Sequence, residues 1–359
     1  MEAVVNTSTF WLGRRVLITG QTGFKGAWLS LWLQSLGARV VGYALPPETT
    51  PSLFEVADVG CGTTSIHGDL LDADALSAAV AEHRPEIVFH MAAQARVRRS
   101  YRDPVNTFAT NVQGTVHLLE AARRCGSVRA VVVITSDKCY ANREWPWGYR
   151  ENDPMGGHDP YSASKGCAEL VVSAYRQSYF ADAGIGLASA RAGNVIGGGD
   201  WAEDRLIPDA MRAFAAGETL VLRNPAAHRP WQHVLEPLHG YLLLARRLID
   251  GGETYAQGWN FGPQAIDART VGEVVERIAT RWGREAKWRM AADAGAHEAL
   301  MLRLDASLAQ VELGWRPVLA LNEALDWTLD WYRAHRDRSV DMRRFTLQQI
   351  GWFAERLRA

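Results

Sequence analysis

Several features that mark specialised classes of protein are scarce or missing in this sequence of 359 residues. The four cysteines show no C-x-x-C or metal-ligand spacing, which favours reduced thiols and no metal site. No apolar run approaches the ~18 residues of a membrane span, and the first residues lack the apolar stretch of a secretory signal. The net charge of −1 gives no basic field for nucleic acid. We therefore expect a cytoplasmic protein that binds no metal, no nucleic acid and no membrane.

What the sequence does contain is an ordinary globular composition and a repeated order of strands and helices. Hydrophobic residues make up 47% and charged residues 22% of the chain, as is usual for soluble folded proteins. Short apolar strands alternate with helical patterns through the first half, and the predicted strands are 15–19, 39–43, 64–68, 86–91, 130–135 and 186–191. This order predicts an α/β fold with a doubly wound, parallel, Rossmann-type sheet and right-handed crossovers.

The regular alternation loosens after Gly193, where turns and short elements become frequent. A chain of 359 residues favours about two domains, on a prior of ~150 residues each. We predict a Rossmann domain over residues 1–192 plus about 230–257. A smaller, interleaved C-terminal substrate lobe is predicted over about 193–229 plus 258–359.

A glycine-rich loop, 19-TGQTGFKG-26, separates the first strand from its helix. Gly20, Gly23 and Gly26 are spaced by three residues, as needed for a tight turn, close approach of a pyrophosphate and contact between helix and sheet. The helix N-terminus then offers its free N–H groups to the anion. We interpret the loop as a dinucleotide-binding site.

The choice between NAD and NADP stays open on the second strand. That strand ends 41-VGYA-44, with neither the acid that contacts a ribose nor an arginine that marks a 2′-phosphate. Asp69, just past the third strand, has two equally weighted interpretations. It is placed either to accept from an adenine amino group or to cap the helix that follows.

A strand that ends in reactive side chains and a Tyr-x-x-x-Lys pair together predict an oxidoreductase-type site. The stretch 131-VVVITSDKCY-140 places Ser136, Asp137 and Lys138 at a strand end, where ligands bind in open α/β sheets. Tyr161 and Lys165 are four residues apart and share one helix face. The ammonium favours the phenolate and lowers the phenol pKa, which creates a base for a hydroxyl proton. In this layout Ser136 can hydrogen-bond the same reacting oxygen.

The TGxxGxxG loop, the strand-end TSD and the YxxxK pair resemble the extended short-chain dehydrogenase/reductase superfamily. The resemblance covers about Gly13 to Trp315 and includes N-V-I-G at 194–197 and R-P-W-Q-H-V at 229–234. More narrowly, FKGAWLSLWL, TSDKCY, WGYRENDPMGG and RAGNVIGGGDW are similar to the CDP-glucose 4,6-dehydratase branch. That resemblance implies an NAD-dependent oxidation, dehydration and reduction within one nucleotide sugar, for deoxysugar and lipopolysaccharide O-antigen synthesis.

The resemblance also implies roles for individual residues. Ser136, Tyr161 and Lys165 would oxidise C4, Asp137 would protonate the leaving hydroxyl, and Lys138 would stand where many relatives carry a glutamate base for C5. The implied cofactor contacts are Gly20, Thr22, Gly23, Phe24, Gly26, Asp69, Leu70, Ala92, Asn111, Tyr161 and Lys165. The implied substrate contacts are Asn194, Arg229 and His297. A homodimer, or a dimer of dimers, is expected through helices near 103–125 and 160–180.

Three functions follow from these observations. The first is the CDP-glucose 4,6-dehydratase reaction, and the second is a nucleotide-sugar 4-epimerase, a decarboxylase, or a 4,6-dehydratase of another nucleotide sugar. The third is a non-catalytic NAD-binding sensor, which would be expected to carry a broken Tyr-Lys pair. The intact pair places the sensor last.

Overall fold

A seven-stranded parallel sheet forms the centre of the protein. The computed structural model describes residues 7–264, 269–292 and 301–358. Its strands are β1 Arg15–Thr19, β2 Arg39–Ala44, β3 Thr63–His67, β4 Ile87–His90, β5 Ala130–Ile134, β6 Gly186–Arg191 and β7 Gly258–Asn260. Their spatial order is β7, β6, β5, β4, β1, β2 and β3, and every neighbouring pair is parallel. The doubly wound Rossmann-type sheet predicted from the sequence is confirmed.

Helices cover both faces of this sheet. Side chains of β1 alternate between two separate hydrophobic cores: Val16 and Ile18 pack in one, and Leu17 packs in the other. Burial on both faces explains why the strands are continuous apolar runs. The longer helices of the described chain are Phe24–Ser35, Ala73–His83, Gly114–Arg124, Pro160–Tyr175, Leu206–Ala215, Leu235–Gly251, Val271–Trp282, Leu321–Asp337 and Met342–Arg356.

Two predicted helices contain irregular turns. The helix that begins at Pro104, capped by Asp103, runs to Phe108 and passes through a π-helical turn at Ala109–Gln113 before the helix Gly114–Arg124. The Asp103 side chain accepts from the Asn106 N–H at 3.1 Å, as expected of a cap before proline. The α-helix Pro160–Tyr175 likewise continues into a π-helical turn at Arg176–Phe180.

The C-terminal half adds short strand pairs outside the main sheet. The strands Thr219–Leu222 and Lys287–Met290 pair in parallel, although 64 residues separate them. Strand β7, by contrast, pairs with β6 in the main sheet. The predicted strands do not include residues 258–260, because a three-residue strand carries too little periodicity to be recognised. The two-domain division itself stays a prediction.

No helix in the described part of the chain is long and apolar enough to cross a membrane. Within the same residues, no group of three or more His, Cys, Asp or Glu side chains is arranged to hold a metal ion.

Candidate active site

The glycine loop forms a cradle that only glycine can line. Gly20 has a positive φ of 80°, and a Cβ there would overlap the Ala92 backbone. A Cβ on Gly26 would overlap the Gly20 carbonyl. Gly23 is the N-cap of the helix Phe24–Ser35 and no side chain caps that helix, so its first N–H groups remain available to an anion. These features fit a dinucleotide pyrophosphate.

Other predicted cofactor contacts surround this cradle. The Thr22 hydroxyl donates to the Leu45 carbonyl at 2.8 Å and so joins the loop to the end of β2. Ala92 is the second residue after β4, and its N–H donates to the Thr19 hydroxyl at 3.2 Å. Leu70 is buried beyond β3, and Phe24 is partly buried at the start of the helix. Their positions along the carboxyl edge agree with the predicted site, and their contacts with a cofactor stay a prediction.

Asp69 does not cap the following helix, so that interpretation is wrong. The cap of the helix Ala73–His83 is Asp72, whose side chain accepts from the Ala75 N–H at 3.0 Å. Asp69 instead accepts from the Leu71 N–H at 3.0 Å in a local turn and is exposed. Two aspartates three residues apart offer the same cap signal, and sequence alone does not rank them. The adenine contact of Asp69 remains a prediction.

Asn111 holds two parts of the site together. Its side chain is 2% exposed, accepts from the Gln94 N–H at 2.8 Å and donates to the Gln94 carbonyl at 3.0 Å. It also donates to the Ser164 hydroxyl at 2.8 Å, on the helix that carries Tyr161. Asn111 therefore positions the loop after β4 against this helix, whether or not it also touches a cofactor.

The residues after β5 form a single tight turn. Ser136 caps a three-residue 3₁₀ helix, Asp137–Cys139, and its hydroxyl accepts from the Lys138 N–H at 3.2 Å. The same hydroxyl donates to Oδ1 of Asp137 at 2.9 Å. Asp137 and Lys138 therefore lie in the turn that follows β5 and not within the strand. A buried strand can be followed by charged side chains here because the backbone has already left the sheet.

Asp137 is a buried acid with one unpartnered oxygen. The side chain is 2% exposed, and Oδ2 has no hydrogen-bond partner among the described residues. Burial raises the pKa of Asp137, and the charge of Lys138 and the Ser136 hydrogen bond oppose that rise only in part. A Cβ at position 193 would overlap Oδ2, so Gly193 is required beside it. The carboxyl therefore holds its proton to a higher pH than a solvent-exposed aspartate does, which suits it to donate a proton.

Tyr161 and Lys165 lie beside this turn, on the helix Pro160–Tyr175. They are 8% and 6% exposed. The Lys165 ammonium donates to the Ile134 carbonyl at 3.2 Å, at the last residue of β5. Burial lowers the pKa of Lys165 to about 8. The structure therefore brings together the five residues predicted to be catalytic.

The predicted lowering of the Tyr161 pKa does not occur in the protein chain by itself. Burial raises the pKa of Tyr161 to about 12, and Ser136 opposes the rise only in part. The lysine hydrogen-bonds a backbone carbonyl instead of the phenol. The expectation was wrong because it weighed the neighbouring charge and neglected desolvation, which is the larger effect in so buried a site.

Lysine usage provides a signal that the motif analysis overlooked. The chain has 39 basic residues, yet only four are lysines: Lys25, Lys138, Lys165 and Lys287. The first three converge on this site. Lys25 donates to the Tyr241 hydroxyl at 2.9 Å, and its pKa is lowered to about 7 by burial and then by the charges of Lys165 and Arg205. An ammonium can lose its proton and a guanidinium cannot, which favours lysine where chemistry occurs.

The structure describes two of the three predicted substrate contacts. Asn194 follows β6 with a positive φ of 45°, and its carbonyl accepts from the Gln232 N–H at 3.3 Å. Arg229 lies close enough to Asp137 for its charge to lower the pKa of that acid. Its Nη1 donates to the His228 carbonyl at 2.9 Å. His297 lies outside the described residues.

Comparison with known proteins agrees with these features. The family model described as GDP-mannose 4,6 dehydratase matches residues 17–328. CDP-glucose 4,6-dehydratase from Salmonella typhimurium (strain LT2) is 56% identical over 330 residues, which cover 90% of this chain and 92% of that protein.

Solved structures show the same fold. The dTDP-glucose 4,6-dehydratase DesIV from Streptomyces venezuelae, solved with NAD bound, is 27% identical with a TM-score of 0.75, over 90% of this chain and 98% of that one. UDP-glucose 4-epimerase from Brucella ovis, in complex with NAD, is 25% identical with a TM-score of 0.76, over 88% and 97%. From the extent of the family match and the 56% identical relative, the chain belongs to the GDP-mannose 4,6 dehydratase family of extended short-chain dehydrogenases/reductases.

Proposed function

We propose that this protein is a CDP-glucose 4,6-dehydratase, a hydro-lyase that converts CDP-D-glucose to CDP-4-keto-6-deoxy-D-glucose. The observation that carries the proposal is the turn of Asp137 and Lys138 beside the Tyr161–Lys165 pair. An epimerase needs only the second pair. The 56% identity to the Salmonella typhimurium enzyme supports cytosine as the base, which no contact in the described residues identifies.

Oxidation at C4 requires a base for the hydroxyl proton. Tyr161 takes this proton while Ser136 hydrogen-bonds the same oxygen, and Lys165 stabilises the phenolate. NAD held in the glycine cradle would supply the acceptor for the C4 hydride and, once reduced, the donor of that hydride to C6. Because burial raises the pKa of Tyr161 to about 12, the positive charges around it must favour the phenolate during the reaction.

Elimination requires an acid at C6 and a base at C5. The C4 ketone acidifies the C5 proton, Lys138 removes it, and Asp137 protonates the departing C6 hydroxyl so that water leaves. The buried setting of Asp137 suits this role, since its raised pKa keeps a proton available. Lys138 must lose its own proton before it acts, for which an ammonium is suited and a guanidinium is not.

The glycine cradle, Thr22 and the loop after β4 would hold the dinucleotide. The adenosine half would lie toward β3, near Asp69 and Leu70, and the nicotinamide half toward Ser136 and Tyr161. Arg229 would bind the substrate diphosphate, because its planar fork suits phosphate oxygens, and Asn194 would contact the adjoining sugar. His297 is proposed as a further substrate contact from the family resemblance alone.

We also propose a cytoplasmic homodimer or dimer of dimers. Exposed apolar side chains lie on or next to the helices expected at the interface, including Val105 at 80%, Leu170 at 62% and Tyr179 at 48%. Such surfaces favour a protein partner over water. A sedimenting species of one chain at dilute concentration would contradict the dimer.

Product analysis tests the reaction. The purified protein is incubated with CDP-, dTDP-, UDP- and GDP-hexoses, with and without added NAD, and the products are read by mass spectrometry and NMR. Loss of one water from CDP-glucose alone is expected. Loss of water from another nucleotide sugar would keep the mechanism and discard the base assignment. A change only in C4 configuration, or release of carbon dioxide from a uronic acid, would favour the epimerase or decarboxylase.

A further inference from the structure

Glu169 lies in a buried polar network directly behind the Tyr161–Lys165 pair. Its side chain is 4% exposed and pairs with Arg191, which is 5% exposed. Arg191 donates twice, from Nη2 to Oε2 at 2.7 Å and from Nε to Oε1 at 2.9 Å. The hydroxyls of Thr135 and Ser189 donate at 2.5 Å and 2.6 Å. Both carboxylate oxygens therefore receive two hydrogen bonds.

These donors keep Glu169 ionised. Burial alone would raise the pKa of Glu169, but the charge and hydrogen bonds of Arg191, with the two hydroxyls, hold the pKa below its usual value. Glu169 thus places a fixed negative charge in the interior of the protein. The proposed reaction gives this charge no role.

The helix Pro160–Tyr175 connects this charge to the reaction. Tyr161, Lys165 and Glu169 are spaced by four residues and so lie along one face. The last two each hold the end of β5, where Lys165 donates to the Ile134 carbonyl and Glu169 accepts from the Thr135 hydroxyl. Ser136 is the next residue in the chain.

Lys165 needs such a neighbour. Burial lowers the pKa of Lys165 to about 8, and Glu169 is the largest influence that opposes the fall. The other titratable side chains whose charges act with Lys165 are Cys139, Lys25 and His90. Lys25 acts in the opposite sense, because two neighbouring ammonium groups each disfavour the other's proton.

We propose that Glu169 is a positioning residue that acts through Lys165. Its fixed charge keeps the Lys165 ammonium protonated, and its bond to Thr135 fixes the strand end that carries Ser136. The catalytic consequence rests on the proposed function, because Lys165 must carry its proton to stabilise the Tyr161 phenolate. The charge effect on Lys165 does not depend on the identity of the substrate.

The chain's four lysines make a direct measurement possible. Lysine labelled with ¹³C at the ε carbon gives four NMR signals, each assigned by the matching Lys→Arg variant and titrated with NAD present. Glu169→Gln removes the charge and keeps the shape. The double variant Glu169→Gln/Arg191→Met also removes the guanidinium that the single variant would leave buried without its carboxylate partner, bonded only to the Tyr140 hydroxyl and the Glu151 carbonyl. Glu151→Gln is a matched control, because this partly buried acid is also near Arg191, whereas the charges that raise the pKa of Lys165 are those of Glu169 and Cys139.

We expect the pKa of Lys165 to fall by about one unit or more in both Glu169 variants, as for loss of an opposite charge nearby, and to stay unchanged in Glu151→Gln. The melting temperature should fall in the single variant and recover in part in the double one. The two variants would thereby distinguish a loss of stability from a change in the pKa of Lys165. CDP-xylose, which has a C4 hydroxyl but no C6, reports oxidation alone. The alkaline limb of its oxidation rate should move to lower pH with the lysine pKa.

An unchanged Lys165 pKa in both Glu169 variants would overturn the proposal and leave Glu169 a purely structural ion-pair partner. A fall in the single variant alone would assign the effect to unpaired Arg191 and would also overturn it. If the lysine pKa falls as expected while no CDP sugar reacts, the proposed function fails and the charge effect stands.

Discussion

Two pairs of reactive side chains meet at the end of β5, and the protein holds them in different ways. Tyr161 and Lys165 stand on a helix of 16 residues, and Glu169 on the same helix pairs with Arg191 of β6. Asp137 and Lys138 stand on a 3₁₀ turn of three residues that the Ser136 hydroxyl caps. One pair is rigidly supported, and the other depends on a few local contacts.

This difference corresponds to the two halves of the proposed reaction. Oxidation needs a base and a cation in fixed geometry, which a helix and a buried ion pair provide. Elimination needs an acid that keeps its proton, which the buried carboxyl of Asp137 provides through its raised pKa. Asp137 and Lys138 add only a short turn to a site that already holds the groups needed for oxidation. Substitutions in each pair should therefore affect different half-reactions.

The largest expected effect comes from the helical pair. Tyr161→Phe removes the proton acceptor and should lower the rate of C4 oxidation by about 10³-fold. The rate is measured with CDP-xylose, through the absorbance of the reduced cofactor. Tyr149→Phe is the control, because this tyrosine is also buried but its hydroxyl donates to Asn142 and accepts from the Arg143 N–H. Unchanged oxidation in Tyr161→Phe would refute the assigned role.

A smaller and more selective effect is expected from the turn. Lys138→Ala should slow elimination by about 10²-fold and change C4 oxidation much less. With CDP-glucose, reduced cofactor should accumulate while little water is lost. Lys287→Ala, at the exposed fourth lysine on the strand Lys287–Met290, should behave as the unaltered protein. Equal losses in both half-reactions would argue against Lys138 as the C5 base.

The smallest effect concerns stability. Because burial raises the pKa of Asp137, the stability that its proton provides is present below the unfolded value near ~3.9 and is lost as pH rises through the folded value. Asp137→Asn has no such loss, so its stability relative to the unaltered protein should grow as pH rises through the folded pKa of Asp137. Denaturant unfolding at several pH values measures this. A constant difference across pH would contradict the raised pKa.

The sequence predicted the elements whose signals are local. The strands, the glycine loop and the convergence of Ser136 with Tyr161 follow from apolar periodicity and from parallel strands ending at one edge. Strand β7 could not be recognised, because its three residues are defined by pairing with β6 rather than by their own pattern.

The pKa shifts in the site were harder to predict than the identity of its residues. Tyr161 and Lys165 were identified from spacing, but the direction of the tyrosine pKa shift depends on burial, which spacing does not reveal. Glu169 is likewise one more helix acid until Arg191, 22 residues later, is placed beside it. The scarcity of lysine was visible in the sequence and would have pointed to Lys25.

The central claim is that one protein oxidises C4, removes water and returns the same hydrogen to C6. The most direct test is incubation with CDP-glucose carrying deuterium at C4, followed by NMR and mass spectrometry of the product. The account predicts loss of one water, deuterium at C6 and a solvent proton at C5. Deuterium retained at C4, or absent from C6 of a dehydrated product, would contradict it.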